Sequence, residues 1–228
     1  LPKPKFSSEV KHELGYWNVK FHEEILDFKT TKLLFPFADP NIFDSYKFKQ
    51  VVSYEDVGQK EDGSLWHRTF EATETYPVFG YDCTEFVKLY APKAPKGDKF
   101  LLKHSFVGKK PERHIYGWDL VLSMVDLKEI EYFYEKLKDT KLSKTEKASI
   151  LEQLDGLKLD YVIIATGGSD GMNIASLGYP VIWFNSETET IKSMEFAELK
   201  KIAKNVVYIP DLDETGVKQA IFLAERYI

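Results

Sequence analysis

The sequence predicts an α/β protein with a parallel sheet in its C-terminal part and a smaller, β-rich N-terminal part. Three short apolar runs, at residues 161–165, 181–184 and 206–209, are separated by stretches of helical character. Strands that alternate with helices are typical of a parallel sheet. Because each run is apolar at every position, we expect strands that are covered on both faces.

The N-terminal part shows another pattern. Residues 47–54 and 66–72 alternate between apolar and polar side chains, with a turn-forming Glu61-Asp62-Gly63 between them. This pattern predicts an antiparallel hairpin. Further short strands are expected at 78–82 and 87–90, and one helix or a helix pair at 120–137.

Residues 138–141 form the best candidate for a domain boundary. They are polar and precede Ser143 and Glu146, which have the spacing of a capping box and predict a helix through Leu154. We therefore predict a β-rich, basic subdomain at 1–140 and an α/β subdomain at 141–228.

Composition narrows the functional classes. The 228 residues are 43% hydrophobic and 29% charged, as in ordinary globular proteins. No apolar run approaches the roughly 20 residues that span a bilayer, so we expect no membrane partner. The single cysteine, Cys83, excludes an internal disulfide and favours a cytoplasmic location.

Charge is unevenly distributed. The net charge of −5 argues against a uniformly basic surface, but residues 88–114 contain eight basic side chains and two acidic ones. We call residues 88–114 the basic segment. It is a candidate phosphate-binding strip, although a solvated, lysine-rich hairpin would have the same composition.

Acidic residues follow two of the predicted parallel strands. Asp211 and Asp213 are two residues apart after the third strand, which places both carboxylates on one side. Such a pair repels unless one group is protonated or a cation lies between them, and Mg²⁺ is the natural cation. Asp170 follows the first strand and could meet the pair at the sheet edge. Alternatively, Asp213 or Thr215 caps the next helix and Asp211 is solvated.

The glycine-rich turn at residues 166–171 also permits two interpretations. It lacks the lysine of a P-loop and the spacing of a dinucleotide-binding fingerprint. Its glycines could admit a phosphate at a helix N-terminus, or they could serve a tight turn.

In their order, four segments resemble the TOPRIM domain of DnaG-type primases, phage primase-helicases, topoisomerases and some nucleases. They are the glycine turn with Asp170, Gly-Tyr-Pro-Val-Ile at 178–182, Asn-Ser-Glu-Thr at 185–188 and Asp-Leu-Asp-Glu-Thr-Gly at 211–216. Upstream segments at 77–82, 86–92, 99–100 and 115–118 are similar to the basic subdomain of a phage or mobile-element primase core. The resemblance covers roughly residues 76–228, and it implies that the second subdomain continues past Ile228.

This resemblance implies a DNA primase, a nucleotidyltransferase of DNA replication that makes RNA primers on single-stranded DNA from nucleoside triphosphates. It implies a catalytic Mg²⁺ (or Mn²⁺) held by Asp170, Asp211 and Asp213, and a replicative helicase as a partner. The template phosphates would be held by four basic residues, Lys88, Lys99, Lys103 and Arg113.

One position departs from the family pattern. TOPRIM domains usually place a glutamate directly before the first glycine of the turn, where this chain has Thr166. A threonine hydroxyl is neither an anionic metal ligand nor a base near neutral pH, and the nearest other candidate is Glu187. The alternative is therefore a catalytically impaired module that binds single-stranded nucleic acid or a replication partner. A TOPRIM nuclease or topoisomerase would need a different catalytic set.

Overall fold

The computed structural model describes residues 15–37, 39–97, 102–108, 110–186 and 189–227, with the side chains of residues 15–17 left out. The chain divides into two compact units, Leu1–Glu112 and Arg113–Ile228. In its described part the molecule is α/β, with a mostly antiparallel sheet in the first unit and a mostly parallel sheet in the second.

The first unit is built on a six-stranded sheet with the strand order β1-β6-β5-β4-β2-β3. Two short helices precede β2. The elements are β1 (Gly15–Phe21), α1 (Lys29–Leu34), α2 (Pro40–Ser45), β2 (Phe48–Gln59), β3 (Leu65–Glu71), β4 (Phe79–Asp82), β5 (Phe86–Tyr90) and β6 (His104–Gly108).

The predicted hairpin and short strands of this unit are confirmed. Strands β2 and β3 pair antiparallel from Ser53 opposite Glu71 to Gln59 opposite Leu65. The turn between them needs Gly63, whose φ of 85° is costly for other residues. Strands β4 and β5 form at the predicted positions and pair with each other.

The second unit contains a four-stranded sheet with the order β10-β8-β9-β7. Its elements are β7 (Ile115–Tyr116), α3 (Trp118–Ser123), α4 (Leu127–Leu137), α5 (Lys144–Leu157), β8 (Leu159–Ala165), α6 (Gly168–Ser176), β9 (Val181–Phe184), α7 (Ser193–Ile202), β10 (Ala203–Ile209) and α8 (Glu214–Tyr227). No helix in the described ranges is long and apolar enough to cross a membrane.

The three predicted parallel strands are confirmed as β8, β9 and β10. Strand β8 pairs in parallel with both of the others, and β7 adds an antiparallel strand beside β9. The predicted capping box is also present, because Ser143 Oγ accepts from the Glu146 backbone N–H and the Glu146 carboxylate accepts from the Ser143 N–H.

The unit boundary lies before β7, at residues 112–113, and not at the predicted position of 140–141. Residues 138–141 form a turn between α4 and α5. Both of these helices pack on the parallel sheet, since Phe133 of α4 and Leu154 of α5 share one core with Ile164 of β8. A polar turn between two helices of one core therefore resembled a linker.

Full burial is confirmed for β9 and for residues 162–165 of β8. All four residues of β9 are buried, whereas Tyr161 near the start of β8 is 47% exposed and Val207 and Ile209 of β10 are 38% and 41% exposed. Strand β10 is the edge of the sheet, and its Val207–Ile209 side lacks the cover that Val206 and Tyr208 have on the other side. An apolar sequence therefore did not distinguish an edge strand from a central one.

Candidate functional site

The strand order brings the ends of β8 and β10 together at one edge of the parallel sheet. Strand β8 is central, and its last residue, Ala165, is paired with Ile209 at the end of β10. The chain then leaves β8 for α6, which packs Gly171 against Trp183, and leaves β10 for α8, whose Leu223 joins the core with Ile164. Because Ile164 and Ala165 point to opposite faces, the two connections diverge, which creates the crevice where open α/β sheets bind ligands.

Asp211 is held in this crevice by a hydrogen bond from the neighbouring strand end. The hydroxyl of Thr166, the first residue after β8, donates to Asp211 Oδ1 at 2.7 Å. Thr166 is buried, with 9% of its surface exposed, while Asp211 is partly exposed. The hydrogen bond therefore fixes one oxygen of the Asp211 carboxylate, while the side chain remains partly accessible to solvent.

Asp170 shares an electrostatic environment with Asp211. It lies in the first turn of α6, and its Oδ2 folds back to within 3.8 Å of where a Cβ of Gly167 would be. The pKa of Asp170 lies above its ordinary value because the carboxyl group is partly withdrawn from water and because the negative charge of Asp211 acts on it. Asp170 is thus near enough to Asp211 for the charge of one to act on the other.

Asp213 has a different contact. Its Oδ1 accepts a hydrogen bond of 2.8 Å from the backbone N–H of Gly216, in the first turn of α8. This is the N-cap geometry, and it confirms the alternative that Asp213 caps the following helix. Asp211 and Asp213 are therefore not an equivalent pair, although the sequence presents them as one.

Glycines fix the backbone around the acidic groups. A Cβ at Gly216 would lie 2.2 Å from the carbonyl oxygen of Asp211, so only glycine permits this turn. A Cβ at Gly171 would lie 2.5 Å from the ring of Trp183, so this glycine of the 166–171 turn serves helix–sheet packing.

The donor set suits a hard divalent cation. Asp170, Asp211 and Thr166 offer only oxygen atoms, and Mg²⁺ is commonly held by one or two carboxylates with water in its remaining positions. In the part of the chain that the structure describes, no three His, Cys, Asp or Glu side chains form a group that could hold a metal. A cation here would therefore rely on two carboxylates, Asp170 and Asp211.

The four predicted template-binding residues have different environments. Lys88, in β5, is 6% exposed, whereas Lys103 is exposed just before β6. Arg113 belongs to the second unit. Lys99 lies outside the described residues, as does Glu187. Among the described members of this set, Lys103 is exposed to solvent and could contact a phosphate.

Arg113 is held by an internal ion pair. Its Nε and Nη2 each donate to the Glu195 carboxylate at 2.6 Å, and Nη2 also donates to the Thr190 carbonyl at 2.8 Å. The hydrogen bond that Arg113 donates to Glu195 raises the pKa of the Arg113 guanidinium. Burial alone would raise the pKa of Glu195, but the hydrogen bonds from Arg113 and from the Lys192 N–H outweigh it, so that pKa is lowered. Such a bidentate pair fixes the start of α7.

No family model matches the sequence, and no curated protein or solved structure matches it. The likeness to TOPRIM domains therefore rests on the ordered segments of the sequence.

One contributor to the site was missed in sequence. In the sequence Thr166 marks the place where the family pattern has a carboxylate, whereas in the structure its hydroxyl contacts Asp211. The available signal was positional: Thr166 follows the first strand, Asp211 follows the third, and adjacent parallel strands bring such residues side by side.

Proposed function

We propose that the chain is the Mg²⁺-dependent core of a DNA primase, which joins nucleoside triphosphates into an RNA primer on single-stranded DNA. The observation that carries the proposal is that Asp170 and Asp211 follow two adjacent parallel strands at their carboxyl edge and that the charge of Asp211 acts on Asp170. The ordered TOPRIM-like segments support it. Primer synthesis, the replication context and the helicase partner come from that resemblance.

Asp170 and Asp211 would hold the ion, which when bound would neutralise charge on the triphosphate during in-line displacement. The protein's own residues have separate roles. Thr166 orients Asp211 through its hydroxyl, and Asp213 keeps the turn in place by capping α8. Of the predicted basic residues, exposed Lys103 would contact template phosphate.

A second function is favoured by Thr166. A hydroxyl at this position leaves the site with one carboxylate fewer than the TOPRIM pattern provides, and it cannot act as a base near neutral pH. The chain would then be a TOPRIM-like module that binds single-stranded nucleic acid without joining nucleotides. In that case binding of single-stranded nucleic acid would depend on Lys103 and not on Asp211.

Primer synthesis on a single-stranded DNA template, measured with labelled ribonucleotides and Mg²⁺, separates the two. We expect incorporation by the parent chain, loss in Asp211→Asn, and retention in Asp213→Asn, where asparagine can still cap the helix. Lack of incorporation by the parent, together with salt-dependent binding of the same template, would favour the binding module. In both cases Lys103→Ala should lower the slope of log K against log salt concentration by about 1, which corresponds to the loss of one phosphate contact.

A further inference from the structure

Gln50, in β2, is a buried side chain whose amide is only half satisfied. It is 1% exposed, and its Oε1 accepts a hydrogen bond of 2.9 Å from the backbone N–H of Leu26. That bond fixes which end of the amide is oxygen, because a backbone N–H needs an acceptor. Nε2 therefore carries the donor hydrogens, and it has no hydrogen-bond partner among the described residues.

Gln50 lines a cavity of about 300 Å³ in the first unit, which we call the Gln50 cavity. The lining comes from residues 22–25, which follow β1, from α2 and from the start of β2. It includes the buried rings of Phe43 and Phe48. Ligand cavities have this size and character, mostly apolar with a few polar groups that orient the ligand.

A second cavity, of about 440 Å³, adjoins the Gln50 cavity and has the same feature. The two cavities share Ile25, Pro40 and Phe43 in their linings. The second is also lined by Thr31, which is 4% exposed and whose Oγ1 has no hydrogen-bond partner in the described part of the chain. Buried polar groups are rarely left unsatisfied in native proteins, so two of them in adjoining cavities point to ligand binding.

The charges at the rim of the Gln50 cavity select the class of ligand. Three exposed acidic side chains line it, Glu23, Glu24 and Asp44. Lys49 also lines it, but its ammonium group is 3.4 Å from Asp82. Within the described ranges, no three His, Cys, Asp or Glu side chains form a group that could hold a metal ion. The rim therefore favours an organic cation and disfavours phosphates and carboxylates.

We propose that the Gln50 cavity binds a small organic cation, an amine with an apolar ring and an oxygen atom. The ammonium group lies at the acidic rim, the ring packs against Phe43 and Phe48, and the oxygen accepts a hydrogen bond from Gln50 Nε2. Each contact uses a group that the cavity already presents. The inference concerns the first unit and is independent of the magnesium site proposed for the second.

Tyramine is the probe, because it combines an ammonium group, an aromatic ring and a hydroxyl group. Phenethylamine lacks the hydroxyl, and phloretate has a carboxylate in place of the ammonium group, so each removes one of the inferred contacts. Binding to the full chain is measured by NMR titration, in which the assigned side-chain amide signals of Gln50 report on the contact to Nε2.

We expect tyramine to shift the Gln50 amide signals and to bind with a Kd of about 1 mM, as suits so small a ligand. Phenethylamine should bind about fivefold more weakly, and phloretate should not bind. Glu23→Gln and Asp44→Asn should each weaken tyramine binding about threefold. Glu71→Gln is the matched control, because Glu71 is exposed on β3 and does not line the cavity, and it should keep the parent affinity.

Three results would overturn the inference. Absence of binding by all three probes would show that water alone satisfies Gln50 and Thr31. Equal affinity for tyramine and phloretate, or parent-like tyramine affinity in both rim variants, would remove the preference for a cation. Tyramine binding without a shift of the Gln50 amide signals would place the probe outside the cavity.

Discussion

The two units arrange their charged side chains differently. In the parallel sheet of the second unit, Asp170 and Asp211 come from segments 41 positions apart and act on each other at one edge. In the antiparallel sheet of the first unit, Lys88 is buried within a strand while Lys103 is exposed before the next. Parallel strands place the loops that follow them at one edge, whereas antiparallel neighbours send alternate loops to opposite ends. Topology therefore concentrates charge in one unit and distributes it in the other.

The tightest part of the acidic edge is the contact between Gly216 and Asp211, so a substitution there should have the largest effect. In Gly216→Ala the new Cβ would lie 2.2 Å from the Asp211 carbonyl oxygen. We expect the free energy of unfolding to fall by about 3 kcal/mol, as in severe overpacking. Urea unfolding measures it.

Gly156→Ala is the matched control, since a Cβ there meets nothing within 4 Å inside α5. Alanine should stabilise this helix by about 0.5–1 kcal/mol. Equal effects of the two substitutions would show that the close contact at Gly216 is unimportant.

Arg113 tests whether a basic residue near the end of the basic segment is structural. Arg113→Ala removes two hydrogen bonds to Glu195 and leaves that carboxylate largely buried. We expect a loss of about 2 kcal/mol in the free energy of unfolding, measured by thermal or urea unfolding.

Lys103→Ala serves as the comparison for Arg113→Ala. Lys103 is exposed, so its removal should leave stability within about 0.5 kcal/mol of the parent. A stable Arg113→Ala protein with weaker binding of single-stranded DNA would instead return Arg113 to the template-binding group.

Asp213 tests the difference between the two neighbouring aspartates. Asp213→Ala removes the cap of α8 and should cost about 1 kcal/mol, while Asp213→Asn should be close to neutral. Thermal unfolding measures both. Equal destabilisation by alanine and asparagine would contradict the capping role.

His104 gives the smallest effect and concerns the first unit. Partial withdrawal of the His104 ring from water, with the positive charges of Lys88 and Lys103, lowers its pKa to about 4, and because the residue is still exposed, solvent screens much of the effect on stability. Since the ordinary pKa of histidine is near 6.5, His104 is protonated at a higher pH in the unfolded chain than in the folded chain. The contribution to stability is therefore complete above pH 6.5 and is lost as the pH falls towards 4.

His104→Gln removes this titration and leaves all other groups in place. Between pH 6.5 and 4, the parent should lose more free energy of unfolding than the variant in urea titrations. Parallel pH profiles for the two proteins would show that His104 keeps an ordinary pKa in the folded state.

The elements were largely predictable from the sequence, because local patterns determine them. The hairpin around Gly63, the capping box at Ser143 and the three parallel strands all follow from spacing and turn chemistry. The two units divide at residues 112–113 and not at 140–141, because α4 and α5 are held in one core by long-range packing that a polar turn does not reveal. Similarly, strand order decides whether an apolar strand such as β10 is central or at an edge.

The candidate site was predictable only in part. Asp170 and Asp211 follow adjacent parallel strands, as the sequence suggested, and the charge of Asp211 acts on Asp170. The roles of Asp213 and Thr166 depend on one hydrogen bond each, to Gly216 and to Asp211, and such contacts follow from the path of the turns. The buried Lys88 and the paired Arg113 show that a basic composition does not define a binding surface.

Calorimetric titration of Mg²⁺ into the full chain tests the central claim, that Asp170 and Asp211, but not Asp213, form a cation site. Asp211→Asn and Asp213→Asn make the same chemical change two residues apart, so they form a matched pair. We predict that the parent and Asp213→Asn bind Mg²⁺ with similar affinity and that Asp211→Asn and Asp170→Asn do not bind it. Parent-like Mg²⁺ affinity in Asp211→Asn would contradict the account.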